Sequence, residues 1–310
     1  MTRSKISFGW DLAGYGSSGS AFCRALRSGN HIKATILQTP GICRPRHKID
    51  TEITATVQLE AELIRRCVEL GNVLIDVPIH LQSLAKVVDH QSDVAVRQYW
   101  ELVKRPVDHV FSALEPLASN LGFATARIAN ILGHLSQTNV VLGTNLHETY
   151  PAATLSLIGA SKKWSEIDAY KSGRAIFRNG QWSPVESRKE RQTSREKENR
   201  KNRGLTALAK KLRFKASDNF EMDDDEFDAV LCAITGCLDE HWLASDRLAE
   251  HIAATLKQAD DSSIANTTPP DGYALLDKYP IDLEVVVDRI DYDSPEQLSL
   301  IHISEPTRPY

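Results

Sequence analysis

Ile6-Ser7-Phe8-Gly9-Trp10-Asp11-Leu12 runs directly into Ala13-Gly14-Tyr15-Gly16-Ser17-Ser18-Gly19, and this junction decides the fold. The first stretch reads as a strand, and the glycine- and serine-rich run after it as the turn that ends it. Two further strands follow closely, Ala21 to Leu26 and Ile32 to Leu37, with Ser28-Gly29-Asn30 as a hairpin signal between them. The chain therefore opens with three hairpin-type strands.

Outward from there the period changes. After a loop with Pro40, Gly41 and Pro45, the stretch Thr51 to Leu70 carries Ile53, Val57, Leu63, Ile64, Cys67 and Leu70 at helical spacing. Val73 to Val77 is a short apolar strand closed by Pro78. The pattern then predicts helices over Ala95 to Leu121 and Ala124 to Leu135, a strand within Val140 to Tyr150, and a new helix from Pro151, a residue suited to a first helical turn. The order βββαβαβα fits an α/β fold, a mixed sheet covered by helices on both faces.

Composition bounds what such a chain does. Over 310 residues, 42% apolar and 25% charged side chains suffice for a globular core. A net charge of −4 argues against general coating of nucleic acid and leaves room for local patches. One patch is plain: between Arg188 and Lys215, twelve Lys and Arg residues face the three acids Glu190, Glu196 and Glu198. That run suits either a solvated insertion or an arm that contacts the phosphates of a nucleic acid. The five cysteines are scattered and lack a CxxC pair, which excludes a disulfide framework or zinc finger and fits a reducing, cytoplasmic setting. No apolar run reaches the roughly 18 residues of a membrane span.

The expected organisation is one domain over residues 1–240, with a basic insertion at about 181–215, and a helical, acidic peripheral extension over 241–297. The last residues, 298–310, include Leu298-Ser-Leu-Ile-His-Ile-Ser-Glu-Pro-Thr-Arg308 and resemble a translated sequencing adaptor, so the fold is read without them.

Four acidic positions stand out. Asp11 lies near the carboxyl end of the first strand between glycines, where a charge is costly unless paired, metal-bound or capping a turn. Asp76 sits among Val73, Leu74, Ile75 and Val77, and alternation puts it on one face with Leu74. Glu148 closes a strand before a helix, where it also answers a helix dipole. Asp223-Asp224-Asp225-Glu226-Phe227-Asp228 opens a helix through Leu238, with Phe227, Val230, Leu231, Ile234 and Leu238 as its buried stripe. Asp225 and Asp228, at i and i+3, share a flank of it. Acids at strand ends without His or Cys suit Mg²⁺ or Mn²⁺. Two such ions activate a water for in-line phosphodiester cleavage. Neither a nucleophile elbow nor a P-loop is present.

Several of these segments resemble the domain of unknown function 429 family, regarded as ribonuclease-H-like nucleases. The likeness is carried by Gly9-Trp10-Asp11-Leu12-Ala13-Gly14, Leu74-Ile75-Asp76-Val77-Pro78-Ile79, Arg105-Pro106-Val107-Asp108, Glu148-Thr149-Tyr150-Pro151-Ala152-Ala153, and Asp225-Glu226-Phe227-Asp228-Ala229-Val230-Leu231-Cys232-Ala233. It covers residues 5 to 240. The resemblance implies a ribonuclease-H-like fold and a metal-dependent nuclease, with Asp11, Asp76, Asp225 and Asp228 catalytic and Asp11, Asp76 and Asp228 holding Mg²⁺ or Mn²⁺. It also implies Arg105, Asp108 and Glu148 near the substrate.

Two other functions compete. An actin-like or sugar-kinase-like ATPase shares the βββαβα core, but needs a second half with its own phosphate loop, and no second strand start of that type is found. A non-catalytic nucleic-acid-binding protein would use Arg188–Lys215 alone, with affinity that falls steeply with salt.

Overall fold

The structure, a computed structural model, describes residues 5–14, 20–38, 51–77, 119–151, 154–155, 170, 174–184, 204–210, 212–238 and 284–292. The three opening strands form as their alternation dictates: β1 (Lys5–Asp11), β2 (Ala21–Ser28) and β3 (His31–Gln38). They pair antiparallel, from Lys5↔Arg27 to Asp11↔Ala21 and from Cys23↔Ile36 to Ser28↔His31.

Helix α1 (Thr51–Cys67) then carries the chain to β4 (Asn72–Ile75), which lies parallel to β1 with Trp10 beside Ile75. Helix α2 (Ser119–Leu135) precedes β5 (Leu146–Glu148), parallel to β4. Two helices are predicted with a break near Gly122, whereas α2 runs through that residue. The earlier part of the first one, Ala95 to Ala118, lies outside the described residues.

Beyond β5 the chain adds β6 (Arg174–Arg178), β7 (Gln181–Pro184), β8 (Phe214–Ala216), β9 (Phe220–Asp223), α3 (Asp224–Cys237) and β10 (Glu284–Asp291). The main sheet is seven-stranded in the order β5-β4-β1-β2-β3-β10-β8, mostly parallel, and β7-β6-β9 make a second sheet. The fold is therefore mixed α/β.

Two expectations change. Residues 284–291 belong to no peripheral extension: β10 pairs along its whole length with β3, from Glu284↔His31 to Asp291↔Gln38, and its other edge takes β8. Nor is 181–215 a loose insertion at either end. Trp182 is buried on β7, and Leu205, Leu208 and Ala209 of the helical segment 204–210 are buried beside Phe214 of β8. Apolar side chains at that spacing fix both ends in the core, whatever the charge between them. Residues 185–203 lie outside the described residues.

Alternation along β1 divides the core in two. Phe8, Trp10 and Leu12 pack with Val57, Ala61, Ile64 and Cys67 of α1 and Ala124, Ile128, Ile131 and Leu135 of α2. The odd-numbered face meets α3 so closely that a Cβ on Gly9 would collide with the Ala229 carbonyl and the Ala233 amide. One on Gly236 would collide with Ser7 Oγ and Leu74 Cδ1. Small residues at 229, 232, 233 and 236 thus face the sheet. Phe227, on the opposite side, meets the rings of Tyr170 at 5.3 Å and Phe214 at 5.6 Å. The expected single buried stripe of α3 is therefore too narrow, since every residue from Glu226 to Cys237 is buried. Full burial of each large apolar side chain contributes roughly 1.5–3 kcal/mol.

Cys23, Cys67, Cys232 and Cys237 are buried. Among the described residues, no helix is long and apolar enough to cross a membrane.

Candidate carboxylate site at the carboxyl edge of the sheet

Asp11 is the last residue of β1 and lies half-buried. Ser7 and Gly9 meet α3, so alternation turns Asp11 to the same face. Its cross-strand partner Ala21 is in the α3-side core as well.

Asp76 follows β4 directly. Its amide donates to the Trp10 carbonyl at 2.9 Å, which extends the parallel ladder one step and sets Asp76 beside Asp11. Val73, Ile75 and Val77 point into the α1/α2 core, while Leu74 reaches Gly236, so Asp76 also faces α3. The two strand-end acids share one face of one edge.

The start of α3 is fixed by its sequence. Asp223 Oδ1 accepts from the Glu226 amide at 3.0 Å, and Glu226 Oε2 accepts from the Asp223 amide at 3.0 Å. Such a reciprocal cap is worth about 1 kcal/mol. Asp225 stands one turn before Ala229, on the stripe that faces Gly9, and is half-buried. Asp228, on the adjoining flank, is 1% exposed and accepts a hydrogen bond from the Tyr170 hydroxyl. Because α3 runs antiparallel to β1 (Gly236 at Ser7, Ala229 at Gly9), its acidic end arrives at Asp11.

The expected residues do not all converge. Among the described residues, the three-carboxylate group whose oxygens lie within 4.8 Å of one another is Asp223, Asp224 and Asp225. Neither the set Asp11, Asp76 and Asp228 nor the set Asp11, Asp76 and Asp225 is drawn together to that spacing. Glu148 pairs with Ile75, whose side chain is in the α1/α2 core, so it shares the face away from Asp76. Arg105 and Asp108 lie outside the described residues. Of the basic run, Lys210, Arg213 and Lys215 are exposed, and Lys215 pairs with Glu284 at 2.7 Å.

Three groups beside the site escape a reading of motifs. Arg127 of α2 and Glu60 of α1 form an ion pair with both side chains fully buried. Arg127 also donates to the Ala13 carbonyl at 2.8 Å and to Ser20 Oγ at 3.0 Å, and Ser20 Oγ accepts from the Ala13 amide at 3.0 Å. The pair thus clamps both ends of the turn after Asp11. Its signal is a charge at a buried helical position, Arg127 between Ala124 and Ile131 and Glu60 between Val57 and Ile64. Tyr170, the third, has no local signal.

On the other flank of α3, Arg289 donates to Glu226 Oε1 at 2.6 Å and to the Glu221 carbonyl at 2.6 Å, and Gln38 donates to the same Glu226 oxygen. Burial and the adjacent Asp223 hold the Glu226 carboxyl up at about 7 despite Arg289.

Neither protein-family models, nor curated proteins, nor solved structures give a match to this chain.

Proposed function

We propose that the chain is a metal-dependent nuclease of ribonuclease-H-like fold, of the kind the domain of unknown function 429 family is regarded as containing. One observation carries the reading: Asp11 and Asp76 end adjacent parallel strands on one face, at the edge where α3 delivers Asp225 and Asp228. The order β3-β2-β1-β4-β5 with β2 antiparallel, and helices on both faces, supports the fold. In sheets of this type ligands gather at the carboxyl edge.

The donor set is oxygen-only, which fits Mg²⁺ or Mn²⁺. Asp11, Asp76 and Asp225, half-buried, are the groups to hold the ion, and Asp228 supports them from beneath with one oxygen held by Tyr170. When bound, such an ion polarises a phosphate oxygen and lowers the pKa of a water. The protein's part is to present these acids from rigid elements at one edge. The contacts of Arg127 with Ala13 and Ser20, and the capped start of α3, support that.

The test is cleavage of single- and double-stranded DNA and RNA by purified protein with Mn²⁺. Wild type cleaves at least one, and Asp11→Asn loses the activity. No cleavage of any substrate, or equal cleavage by Asp11→Asn, overturns the proposal. A rise in melting temperature with ATP instead favours the ATPase reading.

A further inference from the structure

Arg289 is carried by β10, a strand that begins 47 residues after the end of α3 and wedges between β3 and β8. It has one guanidinium nitrogen on both the Glu221 carbonyl of β9 and Glu226 Oε1 of α3. The Arg289 guanidinium carbon lies over the Phe220 ring, 5.0 Å from its centroid. Glu226 closes the cap with Asp223 through its other oxygen. A continuous chain of hydrogen bonds therefore runs from the main sheet, through Arg289 and Glu226, to the first turn of α3. Gln38, at the end of β3, joins it at the same Glu226 oxygen.

We propose that Arg289 is the positioning residue for the first turn of α3, holding Asp225 at the sheet edge through Glu226. That this turn serves a metal rests on the function proposed above. Both contacts come from the single nitrogen Nη2, and what fits the guanidinium rather than an ammonium to the role is its place over the Phe220 ring, which fixes where that nitrogen points. Groups one shell behind a ligand commonly alter metal affinity about 10- to 100-fold when removed.

The experiment uses the full chain with Arg289→Met and Arg289→Lys, and Arg289→Gln as a milder variant should Met prevent folding. Amide hydrogen exchange of the metal-free protein is read for residues 223–228 against 230–237, and Mn²⁺ affinity is read by electron spin resonance of the free ion. Arg289→Met is expected to speed exchange about tenfold at 223–228 and to leave 230–237 within about twofold. It is also expected to weaken Mn²⁺ binding about tenfold or more, with partial recovery of both in Arg289→Lys.

Unchanged exchange at 223–228, or a uniform rise along the whole helix, overturns the positioning role. A loosened first turn with unaltered Mn²⁺ affinity overturns its link to the site. Wild type that binds no Mn²⁺ overturns the metal reading itself, while the exchange result still decides whether Arg289 holds the turn.

Discussion

The backbone amide of Asp76 donates to the carbonyl oxygen of Trp10 at 2.9 Å, and this one bond makes neighbours of two carboxylates 65 positions apart in sequence. The ladder from Ser7↔Asn72 to Trp10↔Ile75 continues through it, so Asp11 and Asp76 leave the sheet at the same level and on the same face. Like charges so placed are kept only at a cost to the fold, which a cation offsets.

Asp11→Asn and Asp76→Asn are therefore both expected to lose the stabilisation that Mn²⁺ confers on wild type. At a concentration 100-fold above the dissociation constant that stabilisation is about 2.7 kcal/mol. Thermal melts with and without the ion decide. A marked loss of stability in metal-free Asp76→Asn would mean that its carboxylate is structural.

Gly9→Ala is expected to destabilise by about 1–3 kcal/mol or more, because the new methyl meets backbone atoms of Ala229 and Ala233 that have nowhere to retreat. Denaturant midpoints measure it. An unchanged midpoint would show that α3 stands off from β1 by the width of a methyl group, and the acids at its start correspondingly farther from Asp11.

The sequence makes the first half of this arrangement plain. Alternation at Ile6 to Leu12, a glycine-rich turn and a carboxylate among Val73, Leu74, Ile75 and Val77 need no partner to be recognised. The rest depends on contacts that no local pattern encodes. β10 is three valines between acids, Glu284-Val-Val-Val-Asp288, and only its pairing with β3, some 250 residues earlier, makes it a central strand. The β6–β7 hairpin has a local signature, Asn179-Gly180 at φ of 51° and 74°, set beside a run of charge that reads as loop. Small residues at 229, 232, 233 and 236 look neutral in sequence and become the close contact of α3 with the sheet. Whether Asp11, Asp76 and Asp228 close on an ion is a matter of side-chain spacing, which residue order does not encode.

Arg127→Met and Glu60→Met are each expected to cost about 3–5 kcal/mol, since either leaves its partner's charge buried in the α1/α2 core. Arg127→Met combined with Glu60→Met should cost clearly less than the two single losses added, because no charge is then stranded. A double-mutant cycle by urea denaturation reads the difference, and strict additivity would show that the two side chains act independently.

Glu226 gives the protein a pH dependence of definite sign. Its carboxyl rises from 4.5 to about 7 in the folded state, chiefly by burial and by Asp223, with Arg289 pulling the other way. The folded protein therefore holds this proton more tightly than the unfolded chain. Its contribution to stability is complete below pH 4.5, declines as pH rises from there to about 7, and is flat above. At about 1.36 kcal/mol per pH unit the whole decline is at most about 3.4 kcal/mol. Glu62, a half-buried acid held down to about 2 by Arg65 and Arg66, changes below this window and leaves it undisturbed. Glu226→Gln removes the titration and keeps only one of the two oxygens, so either the cap or the Arg289 contact loses its acceptor at every pH. Urea denaturation of both proteins from pH 4 to 8 should then show wild type losing stability towards pH 7 relative to Glu226→Gln. Parallel curves would mean that Glu226 is ionised throughout, with Arg289 outweighing its burial.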